Sequence, residues 1–330
     1  MSFFQSPTLV KFLTATALAV SLAGFMLTPS AQASNPAEFI DYQKLLQEER
    51  AWAGLTTKTL RVGDVVWSYS EGGQPNKPTL LLIHGIGSSR DTWNLIARNL
   101  SKQYHVIIPD LPGSGNTQTA KNFEMTLPNL TEQLRRFVET ARIQNDLHIA
   151  GHSVGGSIAL LYASKYNFDT KSLFLISAGG LFKNNQTSYL NNPVYLKQLM
   201  ISQPGDLNFV MNKIMYNPPF VPTAIKKQQE QLMISRSDDT AKLITHLLDM
   251  NKMYSINTFA TMLKNIEAPT LILWGRQDPV VNVEVATDLK SSLKNARPPV
   301  ILDQVGHLPI IEAPERVTQN YLEFLNTLSH

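Results

Sequence analysis

The pentapeptide Gly151-His152-Ser153-Val154-Gly155 has the G-x-S-x-G spacing that places a serine nucleophile on a tight turn. It follows the apolar run 147–150 and precedes small residues at 156–164 that are typical of a helix. Glycines at the first and fifth positions leave room for a strained turn between strand and helix. The start of a helix behind the serine also favours negative charge that develops there. The pattern predicts nucleophilic catalysis by Ser153, although glycine and serine are too common for the pentapeptide to decide this alone.

A serine hydroxyl is a weak nucleophile at neutral pH, so it needs a neighbouring base and an acid that orients this base. His307 follows a strand-like run and a glycine, and we predict that it is the base. Asp278 follows the apolar run 270–274, and we predict that it holds the imidazole in the right tautomer. Asp303, just before the histidine loop, is the competing acid.

The negative oxygen that forms during acyl transfer needs two backbone N–H donors. Val154, the residue after the nucleophile, is predicted to supply one of them. Ile86, in the loop His84-Gly85-Ile86-Gly87, is predicted to supply the second. His84 and His152 are expected to shape this loop and the serine turn, and Asp110 is expected to hold the turn that follows it.

The elements that must position these residues are apolar strands that alternate with helical patterns. Such alternation predicts an α/β fold, with a mostly parallel sheet and helices on both faces, and functional residues at the carboxyl ends of the strands. Between residues 182 and 266 the strand-like runs disappear and Met, Tyr and Phe become frequent, which indicates a helical cap inserted after the sixth strand. The remaining segments are an N-terminal helix packed at the domain edge, residues 34–54, and the two parts of the core, residues 55–181 and 267–330.

The N-terminus has the pattern of a signal peptide. Lys11 precedes the uncharged apolar run Phe12–Leu27, and Ala31-Gln32-Ala33 has the small-residue spacing of a cleavage site. The apolar run is shorter than the roughly 20 residues that span a bilayer. We therefore predict that residues 1–33 are removed after Ala33 and that the protein is secreted or periplasmic, with an uncleaved membrane anchor as the alternative.

Composition excludes several classes of protein. The 330 residues are 43% hydrophobic and 17% charged, with a net charge of +3 and no basic run, so we expect no nucleic-acid partner. The absence of cysteine means that the fold has no disulfide bonds. No ligand pair has the spacing of a metal site. We therefore expect no metal site, and we expect the protein to be a monomer.

Together these motifs resemble the α/β-hydrolase superfamily over roughly residues 55–328. The resemblance rests on five segments: His84–Gly87, Asp110–Gly115, Gly151–Gly156, Trp274–Asp278 and Val305–His307. The order Ser153, Asp278, His307 along the chain is also that of α/β-hydrolase triads. Residues 191–193 and 209–222 look like the cap of small secreted bacterial lipases, grouped as family V of the lipolytic enzymes and related to monoacylglycerol lipases. This resemblance implies hydrolysis of acylglycerol esters through an acyl-enzyme, without a cofactor.

The cap composition fits an apolar ester substrate. Methionine side chains adapt to irregular apolar ligands, so we expect part of the following set to line the substrate pocket and the rest to pack the cap: Met211, Met215, Tyr216, Phe220, Met233, Met250, Met253 and Tyr254. Met215, Tyr216 and Phe220 are our principal substrate-binding candidates. The cap is also expected to contact lipid interfaces transiently.

Two other enzymatic functions and one non-enzymatic function remain open from the sequence. A carbon–carbon bond hydrolase of ring-cleavage products shares the serine turn and the cap placement, but it usually acts inside the cell. A cofactor-free perhydrolase uses the same residues. A binding protein on a hydrolase scaffold would have no need of Ser153, His307 and Asp278.

Overall fold

The computed structural model describes residues 41–143, 147–180, 193–253 and 255–328. The predicted signal peptide and the first residues after it lie outside this range. In the described part of the chain, eight strands form one sheet in the order β1-β2-β4-β3-β5-β6-β7-β8. The strands are β1 (Leu55–Val62), β2 (Val65–Gly72), β3 (Thr79–Ile83), β4 (His105–Pro109), β5 (Leu147–His152), β6 (Thr170–Ile176), β7 (Thr270–Gly275) and β8 (Val300–Leu302).

The sheet is mostly parallel, as predicted. Strands β3 to β8 run parallel to one another. The antiparallel hairpin β1–β2 lies at one edge of the sheet, where β2 pairs antiparallel with β4. Gly63 and Asp64 form the turn of this hairpin, in which Val62 pairs with Val65. Every residue of β3 is buried, because helices cover both faces of the central strands.

Helices occupy both faces of the sheet and the segment between β6 and β7. The α-helices are α1 (Tyr42–Trp52), α2 (Asn94–Leu100), α3 (Leu127–Thr140), α4 (Val154–Lys165), α5 (Pro193–Lys197), α6 (Asp206–Ile214), α7 (Thr223–Ile234), α8 (Ser237–Met253), α9 (Ile256–Leu263), α10 (Glu284–Ser292), α11 (Pro309–Glu312) and α12 (Pro314–Asn326). Short 3-10 helices at Arg90–Trp93 and Asn167–Asp169 complete the set. Asp41 caps α1 by accepting the backbone N–H groups of Gln43 and Lys44.

The core consists of one large apolar cluster on each face of the sheet. One contains Trp67 and Phe137, whose ring centroids lie 4.8 Å apart. The other contains Phe174 and Tyr321, whose ring centroids lie 4.5 Å apart. Both faces of the central strands therefore contact apolar side chains. This explains why these strands are continuous apolar runs in the sequence and do not alternate between apolar and polar residues.

Helices α5 to α9 lie between β6 and β7 in the chain, and we call these five helices and the loops between them the cap. They have a small apolar cluster of their own, built on Ile201, Leu207 and Val210. The predicted start of the cap at residue 182 lies outside the described residues. Among the helices of the described ranges, none is long and apolar enough to cross a membrane.

Candidate active site

Ser153 lies on a strained turn between β5 and α4. Its backbone has φ +54° and ψ −118°, a region that residues other than glycine rarely adopt. Its N–H donates to the carbonyl of Ile176 at 2.9 Å, which ties the turn to the neighbouring strand. A Cβ on Gly155 would lie 2.4 Å from the carbonyl oxygen of Ile83, so only glycine allows α4 to approach β3 this closely. The packing of sheet and helix therefore holds the serine in its strained conformation.

Hydrogen bonds connect Ser153, His307 and Asp278 in a chain. The Nε2 atom of His307 lies 3.0 Å from the hydroxyl oxygen of Ser153. The Nδ1 atom lies 2.9 and 3.0 Å from the two carboxylate oxygens of Asp278. All three residues are buried. Because a carboxylate only accepts, Nδ1 carries the proton in the neutral imidazole and Nε2 presents its lone pair to the serine hydroxyl.

Two aspartates follow the last two strands, and the structure brings only Asp278 to the histidine. Its Oδ1 atom also accepts the backbone N–H groups of Val280 and Val281, each at 2.9 Å, which fixes the orientation of the carboxylate. Asp303, the competing candidate, is exposed and forms a surface ion pair with Arg276. The loop after β7 is therefore the one whose carboxylate contacts His307.

The two predicted oxyanion donors border the same cavity as Ser153. Ile86 and Val154 both line the cavity above Ser153. Within the described ranges, neither backbone N–H has a hydrogen-bond acceptor. For Val154 this follows from its place as the first residue of α4, where the N–H has no acceptor within the helix. The role of these two N–H groups as oxyanion donors stays a prediction.

His84 and His152 are buried neutral histidines that support the loops of the site. Nε2 of His84 accepts the N–H of Leu111 at 3.0 Å, and its Nδ1 donates to the carbonyl of Gly85 at 2.8 Å. Nε2 of His152 donates to the carbonyl of His307 at 2.7 Å. Burial lowers the pKa of His84, and burial together with the neighbouring His307 lowers the pKa of His152 to about 3. Each ring therefore holds one loop in place without carrying charge.

Asp110, expected to hold a turn, does so through a fully buried ion pair with Arg90. It also accepts the backbone N–H groups of Arg90 at 2.8 Å and Asn116 at 2.9 Å. Arg90 begins the 3-10 helix that follows the loop of Ile86. Asp110 thus connects the turn after β4 to the segment that follows Ile86, one of the two predicted oxyanion donors.

The buried neutral histidines make the stability of the fold sensitive to acid. Below about pH 6.5 the unfolded chain protonates at position 152, whereas folded His152 stays neutral down to its pKa of about 3. The unfolded state then binds more protons, so stability decreases as the pH falls from about 6.5, by up to about 1.4 kcal/mol per pH unit. We expect Tm to decrease between pH 7 and 4.5, and to decrease less steeply in His152→Asn. Equal slopes in the two proteins would contradict this assignment.

A cavity of about 450 Å³ opens above Ser153 and His307. Its walls come from the loop at residues 85–89, which contains Ile86, and from the cap and α1. Most of the lining is aliphatic, with methionines from the cap: Met211, Met215, Met233 and Met250. An apolar cavity over a buried serine suits an acyl chain whose carbonyl reaches Ser153.

Helix α1 lines the cavity, a role that the sequence analysis missed. Tyr42, Leu45, Glu49 and Trp52 share the face that borders the cavity. Leu46 also borders the cavity, and the buried Arg50 binds Asp91 at 2.6 and 2.7 Å. Burial and the nearby Asp91 carboxylate raise the pKa of Glu49 to about 7. The spacing of Tyr42, Leu45 and Glu49 places them on one face of this helix, but it does not indicate that the face borders a cavity.

The substrate-binding candidates of the cap fall into three groups. Met215 and Phe220 line the cavity, with Met215 buried and Phe220 reaching the solvent. Tyr216 lies outside the cavity lining and is more than half exposed, because Met215 on the buried side takes the inward position. The side chain of Met253 and all of Tyr254 lie outside the described residues.

Comparison with known proteins identifies relatives of the same fold. A family model described as the alpha/beta hydrolase fold matches residues 78–314. Lipase 1 of Psychrobacter immobilis is 31% identical over 322 residues, which cover 95% of this chain and 96% of that protein. A solved structure of a candidate lipase from Acinetobacter baumannii AYE is 54% identical, with a TM-score of 0.87, and covers 91% of this chain and 99% of the other.

A second solved structure, of a membrane phospholipase A described as a bacterial virulence factor, is 30% identical with a TM-score of 0.80. It covers 97% of this chain and 99% of the other. The matched family range contains Ser153, Asp278 and His307 and spans most of the chain. The chain belongs to the α/β-hydrolase fold family.

Proposed function

We propose that this protein is an exported serine hydrolase that cleaves the carboxylic esters of acylglycerols. The observation that carries the proposal is the hydrogen-bonded chain from Ser153 through His307 to Asp278 at the floor of an apolar cavity. The relation to Lipase 1 of Psychrobacter immobilis supports lipid esters as the substrate class. The predicted signal peptide, residues 1–33, supports export.

The reaction proceeds through two acyl transfers. His307 removes the proton of Ser153 as its oxygen attacks the ester carbonyl carbon. The carbonyl oxygen becomes negative and accepts the N–H groups of Ile86 and Val154. When the C–O bond to the alcohol breaks, the alcohol takes the proton from the imidazolium. Water then attacks the acyl carbon while His307 takes its proton. The bond from Ser153 to the acyl group breaks, the imidazolium returns the proton to the serine oxygen, and the fatty acid leaves.

Asp278 and the surrounding hydrogen bonds orient the base throughout both steps. The Asp278 carboxylate accepts the Nδ1 proton and stabilises the imidazolium while it is charged. His152 holds the carbonyl of His307, so the ring and its backbone are both fixed. Such fixed groups need little rearrangement when charge develops, which is the main source of catalysis in this type of site.

A substrate panel tests the proposal. The purified protein is assayed on p-nitrophenyl esters of increasing chain length, on mono- and triacylglycerols, and on phosphatidylcholine. Acylglycerols and medium or long acyl chains are expected to be preferred. Preference for phosphatidylcholine would instead make phospholipids the substrate, in line with the phospholipase relative. A protein that is inactive on every ester but cleaves a dienoate ring-cleavage product would be a carbon–carbon bond hydrolase.

We further propose that the cap contacts lipid interfaces. Large apolar side chains of the cap are more than half exposed: Val194, Phe209, Tyr216 and Phe220. The ammonium group of Lys213 lies over the rings of Tyr195 and Phe209, at 4.4 and 5.1 Å from their centroids. Exposed aromatic rings next to a cation are typical of surfaces that rest on lipid headgroups.

Phe209→Ser is expected to lower activity on emulsified triacylglycerol about fivefold and to spare activity on a soluble short-chain ester. The reason is that Phe209 lies outside the cavity lining, and burying one partly exposed ring in lipid is worth about 1 kcal/mol. Phe168→Ser is the matched control, because this ring is exposed in the 3-10 helix Asn167–Asp169 and lies outside the cap. Equal losses in both variants, or a loss on the soluble ester alone, would contradict the proposed interface.

A further inference from the structure

Glu312, the last residue of α11, accepts hydrogen bonds from four backbone N–H groups that belong to two separate segments. Two of them are on the histidine loop: Gly306 donates at 3.0 and 3.1 Å and Leu308 at 3.2 Å. The other two are on the cap: Tyr216 donates at 2.8 Å and Asn217 at 3.2 Å. One carboxylate thus holds both residues that flank His307 and a cap segment about ninety positions earlier.

The histidine loop and the cap also touch each other directly at this place. The N–H of His307 donates to the carbonyl of Ile214, the last residue of α6, at 2.8 Å. A Cβ on Gly306 would lie 2.5 Å from the carbonyl oxygen of Ile214 and 2.7 Å from the nitrogen of Tyr216. The φ angle of Gly306 is not positive, so the close approach of the cap is what requires glycine here.

Capping of α11 alone does not explain this arrangement. N-terminal capping of a helix requires only one or two acceptors for its first N–H groups, and α11 has only four residues. The Oε2 atom of Glu312 accepts the N–H groups of Tyr216 and Asn217, which lie outside that helix. In the described part of the chain no Lys or Arg pairs with Glu312, so backbone N–H groups are its partners.

We propose that Glu312 is a positioning residue that locks the cap to the histidine loop, so that the cap wall and the base keep one relative position. The inference rests on the proposed function, because it takes His307 as the base. The locked segment leads from Met215 to Phe220, both on the cavity wall. Glu312 therefore acts on the reaction through His307 and on chain-length selectivity through the cap wall.

The test measures kcat and KM of Glu312→Ala and Glu312→Gln for p-nitrophenyl butyrate and palmitate. We expect Glu312→Ala to lower kcat at least tenfold on both esters, because Gly306 and Leu308 no longer hold His307 from either side. KM for palmitate is expected to rise several-fold more than KM for butyrate. Glu312→Gln keeps one carbonyl oxygen as an acceptor and should restore part of both losses.

Glu315→Gln is the matched control. Glu315 is an exposed acid three residues further along, in the first turn of α12. Its replacement removes the same charge from the same region and should leave both esters within twofold of the original protein. Tm of each variant is measured, and the assays are run well below the lowest Tm, so that unfolding does not contribute to the loss.

Gly306→Ala tests the same lock without touching the carboxylate. The added methyl group must push Ile214 and Tyr216 away from the histidine loop. We expect the same selective rise in KM for palmitate. Unchanged kcat and an unchanged KM ratio in Glu312→Ala would overturn the inference. Failure of the proposed function would look different, since the unsubstituted protein would then hydrolyse neither ester.

Discussion

Ser153→Ala is expected to lower kcat for ester hydrolysis by roughly 10⁴- to 10⁶-fold. Removal of the hydroxyl leaves His307 with no proton to take and the ester with no nucleophile other than water. The cavity and the free N–H groups of Ile86 and Val154 remain, so substrate binding should persist and KM should change little. The loss is therefore expected in kcat, as for a group that acts only in the chemical step.

Covalent labelling gives an independent measurement of the same prediction. A fluorophosphonate probe should label the unsubstituted protein at a single serine, and Ser153→Ala should not be labelled. Ser164→Ala is the matched control, because this serine lies on the same helix and donates to the carbonyl of Met262, outside the cavity lining. Its rate and labelling should stay unchanged. Labelling of Ser153→Ala at another residue would show that the nucleophile lies elsewhere.

The relation between strand ends and functional residues explains how much of the site is predictable from the sequence. Ser153, Asp278 and His307 each follow a continuous apolar run, and parallel strands bring their carboxyl ends to one edge of the sheet. Only the order of the runs and the residue after each one are needed for that prediction. The fold and the convergence of these three side chains could therefore be inferred without knowing any contact.

Other parts of the site depend on contacts that side-chain types do not encode. Glu312 binds Tyr216 and Asn217 through their backbone N–H groups, which every residue except proline possesses, so no residue pattern marks this contact. Helix α1 shows an apolar face in its sequence, but periodicity indicates that a face is covered and not what covers it. The cavity wall formed by Leu45 and Trp52 thus became visible only in the folded chain.

Asp278→Asn is expected to lower kcat by about 10⁴-fold, the size of the loss when a triad aspartate is replaced by asparagine in a serine protease. The N–H groups of Val280 and Val281 donate to Oδ1, so they hold the amide oxygen of the new side chain in that place. The amide NH₂ then replaces Oδ2, which lies 2.9 Å from Nδ1 of His307. A donor at this place favours the tautomer with the proton on Nε2.

This tautomer points an N–H at Ser153 and cannot accept the serine proton, so the geometry survives while the base is lost. Asp303→Asn is the matched control, since it makes the same change on the other candidate acid. Asp303 is exposed, and its surface pair with Arg276 is worth less than about 1 kcal/mol, so kcat should stay within twofold. Measured kcat values for the two variants decide between the acids: a large loss in Asp303→Asn with activity kept in Asp278→Asn would move the orienting role to the last loop. We expect the large loss in Asp278→Asn and retained activity in Asp303→Asn. The reason is that Asp278, which contacts His307, is shielded from water and can hold one tautomer of the imidazole through both acyl transfers.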